Sequence, residues 1–273
     1  MRNIPDNNLA YPVFINIDNK YTGSGFFLNQ INNKIYLITA KHVIFDNKTI
    51  KTKGKIATIS CQSSDINSDE LKQYRLDFET LAKNGKIIVH PTSDVATIEI
   101  FEITQFNVET NSHMFNLNDG VTIVRETSTG NTVSVNPNAV ALFNEVLISN
   151  DIILYGYPSS LGLQGRPQFN YSKPLLRKGI VAGLNKPTKT IVLDCPSYFG
   201  NSGGPIVQIE NHLDGRRTHM IIGVMSEFIP FEEQWINTKS GLLNTHVSNS
   251  GYSIAVSMDK VFEILKYTPP KKE

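Results

Sequence analysis

Thirteen short runs rich in Val, Ile, Phe, Tyr and Thr constrain this chain more than any other feature. They are Val13–Ile17, Gly25–Leu28, Ile35–Thr39, Ile56–Ser60, Lys86–Val89, Ala96–Ile100, Val121–Arg125, Asp151–Tyr155, Gly179–Ala182, Thr190–Leu193, Pro205–Ile209, Met220–Met225 and Tyr252–Val256. Each is four to six residues long, and Asn, Gly, Asp and Ser punctuate the chain between them. Runs of that length and composition read as strands, and so many of them imply an all-β sandwich or barrel. Long helices do not alternate with them, which disfavours a parallel α/β sheet. Helix is expected only over Asp69–Thr80 and Ser257–Lys266; the second carries apolar Val261, Phe262, Ile264 and Leu265 and leads into a polar tail, Lys266–Glu273.

At 273 residues the chain is long enough for two small domains or one large two-part domain. The least patterned region, 104–150, is rich in Asn, Thr and Ser, with turn signals at Asp119-Gly120 and Thr129-Gly130-Asn131. It is therefore read as a linker or insertion between units at 1–103 and 151–273. Forty per cent hydrophobic residues and a net charge of +1 exclude disorder and leave no electrostatic footprint for nucleic acid. No apolar stretch approaches the roughly 20 residues of a membrane-spanning helix. Cys61 and Cys195 permit one disulfide at most, and are read as free thiols that are at least partly buried, Cys195 near the site. The first residues, broken by Pro5 and Pro12, lack the basic end and apolar run of an export signal, so a cytoplasmic setting is expected.

Chemistry concentrates at three places. Gly200-Asn201-Ser202-Gly203-Gly204-Pro205 surrounds a serine with glycines, which free the backbone to take φ > 0 and to aim N–H groups at one point. A serine hydroxyl needs a base within hydrogen-bond reach. Of six histidines, His42 stands out, because it ends the apolar run Ile35–Ala40 where the chain leaves the sheet. Asp94 leads directly into the run Val95–Ile100, a position that buries a carboxylate against the sheet and suits it to orient an imidazole.

Thr39-Ala40-Lys41-His42, Asp94-Val95-Ala96 and Gly200-Asn201-Ser202-Gly203-Gly204-Pro205, in that order, resemble the signature segments of chymotrypsin-fold, trypsin-like serine proteases. The spacings of 52 (94 − 42) and 108 (202 − 94) leave room for two barrels. Lesser matches are Gly23-Ser24-Gly25-Phe26-Phe27, Tyr155-Gly156-Tyr157-Pro158, Arg177-Lys178-Gly179-Ile180-Val181 and Gly251-Tyr252-Ser253-Ile254. With Asn201 before the serine, they point to the bacterial HtrA-like subgroup.

The resemblance implies two six-stranded antiparallel β-barrels with a short C-terminal helix, the first carrying His42 and Asp94 and the second Ser202. It implies a serine endopeptidase working through an acyl-enzyme, without metal or cofactor, on a peptide or protein substrate. Ser202 is then the nucleophile, His42 the general base, Asp94 the orienting acid, and the N–H groups of Gly200 and Ser202 the oxyanion hole. Ser226 supports the acid on the strand that pairs with substrate, and Pro196, Phe228 and Gly251 shape the primary pocket. No acid stands at Pro196 and Phe228 replaces a frequent glycine, so a small or moderately apolar side chain is the expected preference. Asn201 makes activation by a freed N-terminus unexpected. With 71 residues (273 − 202) after Ser202, a peptide-binding PDZ module is not expected in the chain.

The alternative within this resemblance is a latent or silent protease-fold module switched by an unidentified protein partner. A rival is the α/β-hydrolase elbow G-x-S-x-G, but Pro205–Ile209 after the serine is a strand pattern where that fold needs a helix. His212 and His219 flank Asp214-Gly215, which is a hairpin signal before it is a metal site.

Overall fold

A computed structural model of the chain describes residues 4–47, 49, 51–64, 70–107, 112–126, 132–159, 168, 170 and 173–269. The turn expected at 129–131 and the last residues of the tail lie outside these.

Nine strands build the N-terminal half: β1 (Pro12–Ile17), β2 (Tyr21–Ile31), β3 (Lys34–Thr39), β4 (Ile56–Gln62), β5 (Leu71–Asp77), β6 (Ile87–Val89), β7 (Ala96–Asn107), β8 (Ser112–Leu117) and β9 (Val121–Glu126). They form one curled sheet in the order β6-β7-β3-β2-β1-β4-β5-β9, with β8 paired to β7. Six more strands, β10 (Asp151–Gly156), β11 (Leu175–Asn185), β12 (Thr190–Asp194), β13 (Pro205–Asn211), β14 (Arg217–Ile236) and β15 (Leu243–Ser257), close into a barrel ordered β10-β11-β12-β15-β14-β13. The architecture is consistent with the expected chymotrypsin-like double barrel: the second half closes with six strands, whereas the first is a curled nine-stranded sheet where a six-stranded barrel was expected. Part of 104–150, read as linker, supplies the end of β7 together with β8 and β9.

Successive side chains of a strand face opposite ways, and here both faces of several strands are buried. Phe27 and Leu37 enter a core inside the N-terminal sheet, while their neighbours Phe26, Leu28, Tyr36 and Ile38 enter a second core between the halves. Ile152, Leu154 and Ile206 fill the barrel interior, whereas Ile153, Tyr155 and Val207 join the shared core. That double burial explains why these runs read as continuous apolar segments rather than alternating ones. Helix α3 (Met258–Leu265) closes the shared core with Met258, Val261, Phe262 and Leu265.

The helix expected over Asp69–Thr80 is instead strand β5 followed by α2 (Phe78–Lys83). Leu71, Tyr74, Phe78 and Leu81 have helical spacing, but pairing of β5 with β4 and β9 on its two sides overrides it. Asp77 ends the strand and caps α2, its carboxylate accepting the N–H groups of Glu79 and Thr80. Beyond Phe228, β14 and β15 leave the barrel as a two-stranded arm, on which Phe231, Trp235, Ile236, Leu242, Leu243 and Val247 are exposed.

Candidate active site

His42 and Asp94 are distant in sequence but neighbours by register. Strands β3 and β7 pair so that Thr39 faces Ala96. His42 lies three residues beyond Thr39, on the one-turn helix α1 (Lys41–Ile44), and Asp94 lies two residues before Ala96. Both therefore emerge at the same end of adjacent strands. His42 Nδ1 is 2.7 Å from Asp94 Oδ2, and the His42 backbone N–H donates to Asp94 Oδ1 at 2.9 Å. The Ser226 hydroxyl donates to Asp94 Oδ2 at 2.6 Å from the opposite half. Burial acts to raise the Asp94 pKa, but the hydrogen bonds and charge of His42 and the Ser226 hydroxyl outweigh it, so the carboxyl is held below its usual value. A carboxylate facing Nδ1 fixes the tautomer with the proton there, leaving Nε2 free to accept.

Ser202 sits in a turn between β12 and β13. The Gly203 N–H donates to the Met225 carbonyl at 2.7 Å, and the Met225 N–H returns to Gly204 at 2.8 Å, which sets Ser202 beside Ser226. Gly200 (φ +94°) and Gly203 (φ +88°) occupy backbone conformations that side chains disfavour. At Gly203 a Cβ would also collide with the Ser24 carbonyl and the Thr39 hydroxyl, so the turn packs directly on the N-terminal half.

Ser24, buried in β2, holds this turn from across the interface. Its N–H donates to the Ser202 carbonyl at 2.8 Å, its hydroxyl donates to the Gly200 carbonyl at 2.6 Å, and that hydroxyl accepts the Tyr157 N–H at 3.0 Å. Its own carbonyl accepts the Thr39 hydroxyl at 2.7 Å. The N–H groups of Gly200 and Ser202 are engaged in no hydrogen bond among the described residues.

The Ser202 hydroxyl donates to the Ser226 carbonyl at 3.1 Å, and no hydrogen bond joins it to His42. His42, Asp94, Ser202, Ser226 and Phe228 nevertheless line one open cleft of about 510 Å³. Pro196 and Gly251, expected to shape its primary pocket, are not among the lining residues. Ser197, Tyr198 and Phe199 take that part of the wall, and Phe199 stands edge-on to Phe228 with ring centroids 5.9 Å apart. The sequence reading gave Phe199 no role and took Ser24 only as part of the Gly23–Phe27 segment, without the hydrogen bonds it makes.

Cys61 and Cys195 are free and buried. Burial pushes their thiols up to about 12 and about 11, so neither offers a thiolate at neutral pH. Cys195 packs under Gly179 rather than on the cleft. His212 hydrogen-bonds Thr218 across the Asp214-Gly215 hairpin, and no cluster able to hold a metal ion is present among the described residues. Among those residues no helix is long and apolar enough to cross a membrane.

The family model for the trypsin-like peptidase domain matches residues 23–215, which include all three motif segments. The chain belongs to the trypsin-like peptidase domain family. No curated protein matches it. Among solved structures, this trypsin-like chain is similar to HtrA-type protease AlgW with a tripeptide, at 14% identity and TM-score 0.49, covering 95% of the chain and 60% of that structure. A serine-to-alanine variant of AlgW with a tripeptide matches at 13% identity, TM-score 0.49 and the same coverage. The trypsin-like chain thus spans about 60% of the length of the structures it matches.

Proposed function

We propose that the chain is a serine endopeptidase that cleaves peptide bonds through an acyl-enzyme on Ser202. The observation that carries this reading is the His42–Asp94 contact of 2.7 Å, buttressed by Ser226 and opening on the cleft that Ser202 lines. Ser202 Oγ attacks the substrate carbonyl as His42 Nε2 takes its proton. The N–H groups of Gly200 and Ser202 receive the oxyanion, a contribution of about 100- to 1,000-fold per donor. His42 then protonates the leaving amine, and water hydrolyses the acyl-enzyme by the same steps in reverse. Asp94 orients the imidazole and stabilises its cation.

The resting hydrogen bond of Ser202 gives substrate a part in this. The Ser226 carbonyl lies on β14, whose side toward the cleft suits strand addition by an extended peptide. A substrate N–H that takes this carbonyl displaces the Ser202 hydroxyl, which then turns to His42. The aromatic pair Phe199 and Phe228 on the cleft wall supports a small or moderately apolar residue before the cut. Two unbridged cysteines support a reducing, cytoplasmic setting, and the HtrA-like pattern a bacterial one.

The second reading, a latent module completed by a protein partner, is favoured by the bond of Ser202 to Ser226 in place of His42. Incubation with a proteome-derived peptide library, read by mass spectrometry beside Ser202→Ala, separates the two. Cleavage that depends on Ser202 is the expected result and yields the preferred residue. Its absence at every protein concentration tried sinks the autonomous enzyme.

A further inference from the structure

The loop that carries Asp94 is tied down by a side chain outside the cleft. His90 follows β6 and is only 4% exposed. Its Nδ1 accepts the backbone N–H of Thr92 at 3.2 Å and of Ser93 at 2.9 Å. A ring nitrogen that accepts two N–H groups bears no proton, so the neutral imidazole carries its proton on Nε2. That nitrogen faces Glu263 Oε2 of α3 at 3.1 Å. Glu263 is held in turn by Lys260 at 3.1 and 2.9 Å, with Lys189 3.7 Å away. The backbone closes the same loop, His90 N–H to Val95 carbonyl at 3.0 Å and Val95 N–H to Ser93 carbonyl at 2.9 Å. Asp94 is the next residue after Ser93.

We infer that His90 is a positioning residue for the reaction: it fixes the Asp94 loop through Thr92 and Ser93 and anchors that loop to the C-terminal helix through Glu263. The inference rests on the proposed role of Asp94 as the orienting acid. His90 does not touch substrate. It acts by keeping the carboxylate where His42 needs it, and a displacement of about 1 Å at such a group costs on the order of 100-fold in rate.

Two substitutions separate its two contacts. In His90→Asn the amide oxygen lies where Nδ1 lies and can still accept both N–H groups, while the reach to Glu263 is lost. In His90→Gln the terminal nitrogen reaches toward Glu263, and the loop loses its acceptor. The readouts are the rate at which a fluorophosphonate labels Ser202, kcat and KM on a cleaved peptide, and the low-field proton NMR signal of the His42–Asp94 hydrogen bond. We expect His90→Asn to label within about threefold of wild type, and His90→Gln to label roughly 10- to 100-fold more slowly, with KM unchanged. The low-field signal should survive in His90→Asn and vanish in His90→Gln. Equal rates in both variants, whether normal or slowed, overturn the inference. If His90→Gln fails to fold by thermal melting, a folded His90→Asn slowed tenfold or more overturns it, and one near wild type supports it. If the wild-type protein neither labels nor cleaves, the protease reading has failed, and the NMR signal alone decides: its persistence in His90→Gln overturns the role of His90.

Discussion

The two halves hold their shares of the site by different means. In the N-terminal sheet, the β3–β7 register alone brings His42 and Asp94 to the same end of adjacent strands. In the barrel, the Gly200–Gly204 turn depends on the other half, because Ser24 grips two of its carbonyls. The barrel answers with Ser226, which reaches back to Asp94. Each half thus lends one serine to the other. Strand register puts the dyad residues side by side and leaves only the Asp94 loop to be fixed, whereas a glycine-rich turn has no register to place it and relies on contacts from outside itself.

The largest test of this contrast is catalytic. Ser202→Ala and His42→Ala should each lower kcat by about a million-fold, and the double variant no further, since the two act as one unit. Additive losses would break the unit. Asp94→Asn should cost about 10,000-fold by favouring the wrong imidazole tautomer. Near-normal turnover by that variant would remove Asp94 from its role.

Ser24→Ala tests the lent serine. It strands the Gly200 carbonyl and the Tyr157 N–H, each a buried polar group worth about 1–3 kcal/mol when unsatisfied. A lowered unfolding midpoint together with lowered kcat is the expected pair. Lost stability with unchanged kcat would show that the barrel sets its own turn.

Acid titration is a finer probe. Asp94 binds its proton less tightly in the folded chain than in the unfolded one, so it favours folding above the unfolded carboxyl pKa and stops doing so as pH falls through the lowered folded value. As pH falls below about 4, the ordinary carboxyl value, wild type should therefore lose more stability than Asp94→Asn by denaturant titration. Parallel curves would deny Asp94 its depressed pKa. The smallest effect is expected on the arm, where Trp235→Ser should move stability by no more than about 0.5 kcal/mol, because the side chain is exposed. A loss of several kcal/mol would mean that the arm packs on something.

Each of the thirteen runs marks a strand, Lys86 alone lying one residue outside β6, and burial on both faces of several of them leaves a dense apolar imprint. His42, Asp94 and Ser202 share a cleft in the order their motifs suggested. Two strands left no such imprint. Strand β5 buries Lys72, Tyr74 and Leu76 at alternate positions while showing helical spacing through Leu71, Tyr74, Phe78 and Leu81. Strand β8 sits in the Asn-rich region, with Met114 and Phe115 exposed. The arm was illegible for a related reason: neither of its faces is buried, so no alternation marks it. The bonds of Ser24 were hidden because its partners Gly200, Ser202 and Tyr157 are distant in sequence and are brought to it only by the tertiary fold, and the same holds for the link of His90 to Glu263.

Chain order has a consequence for synthesis. Strand β15 is the last to leave the ribosome, yet it lies between β12 and β14 in the closed barrel. Until Leu243–Ser257 inserts there, β14 has only β13 beside it, and Ser226 has no stable place from which to reach Asp94 and Ser202. Helix α3, with Glu263, emerges later still. A nascent chain can therefore carry all three motif residues well before it has the means to align them, and translation itself delays the moment at which the cleft is complete.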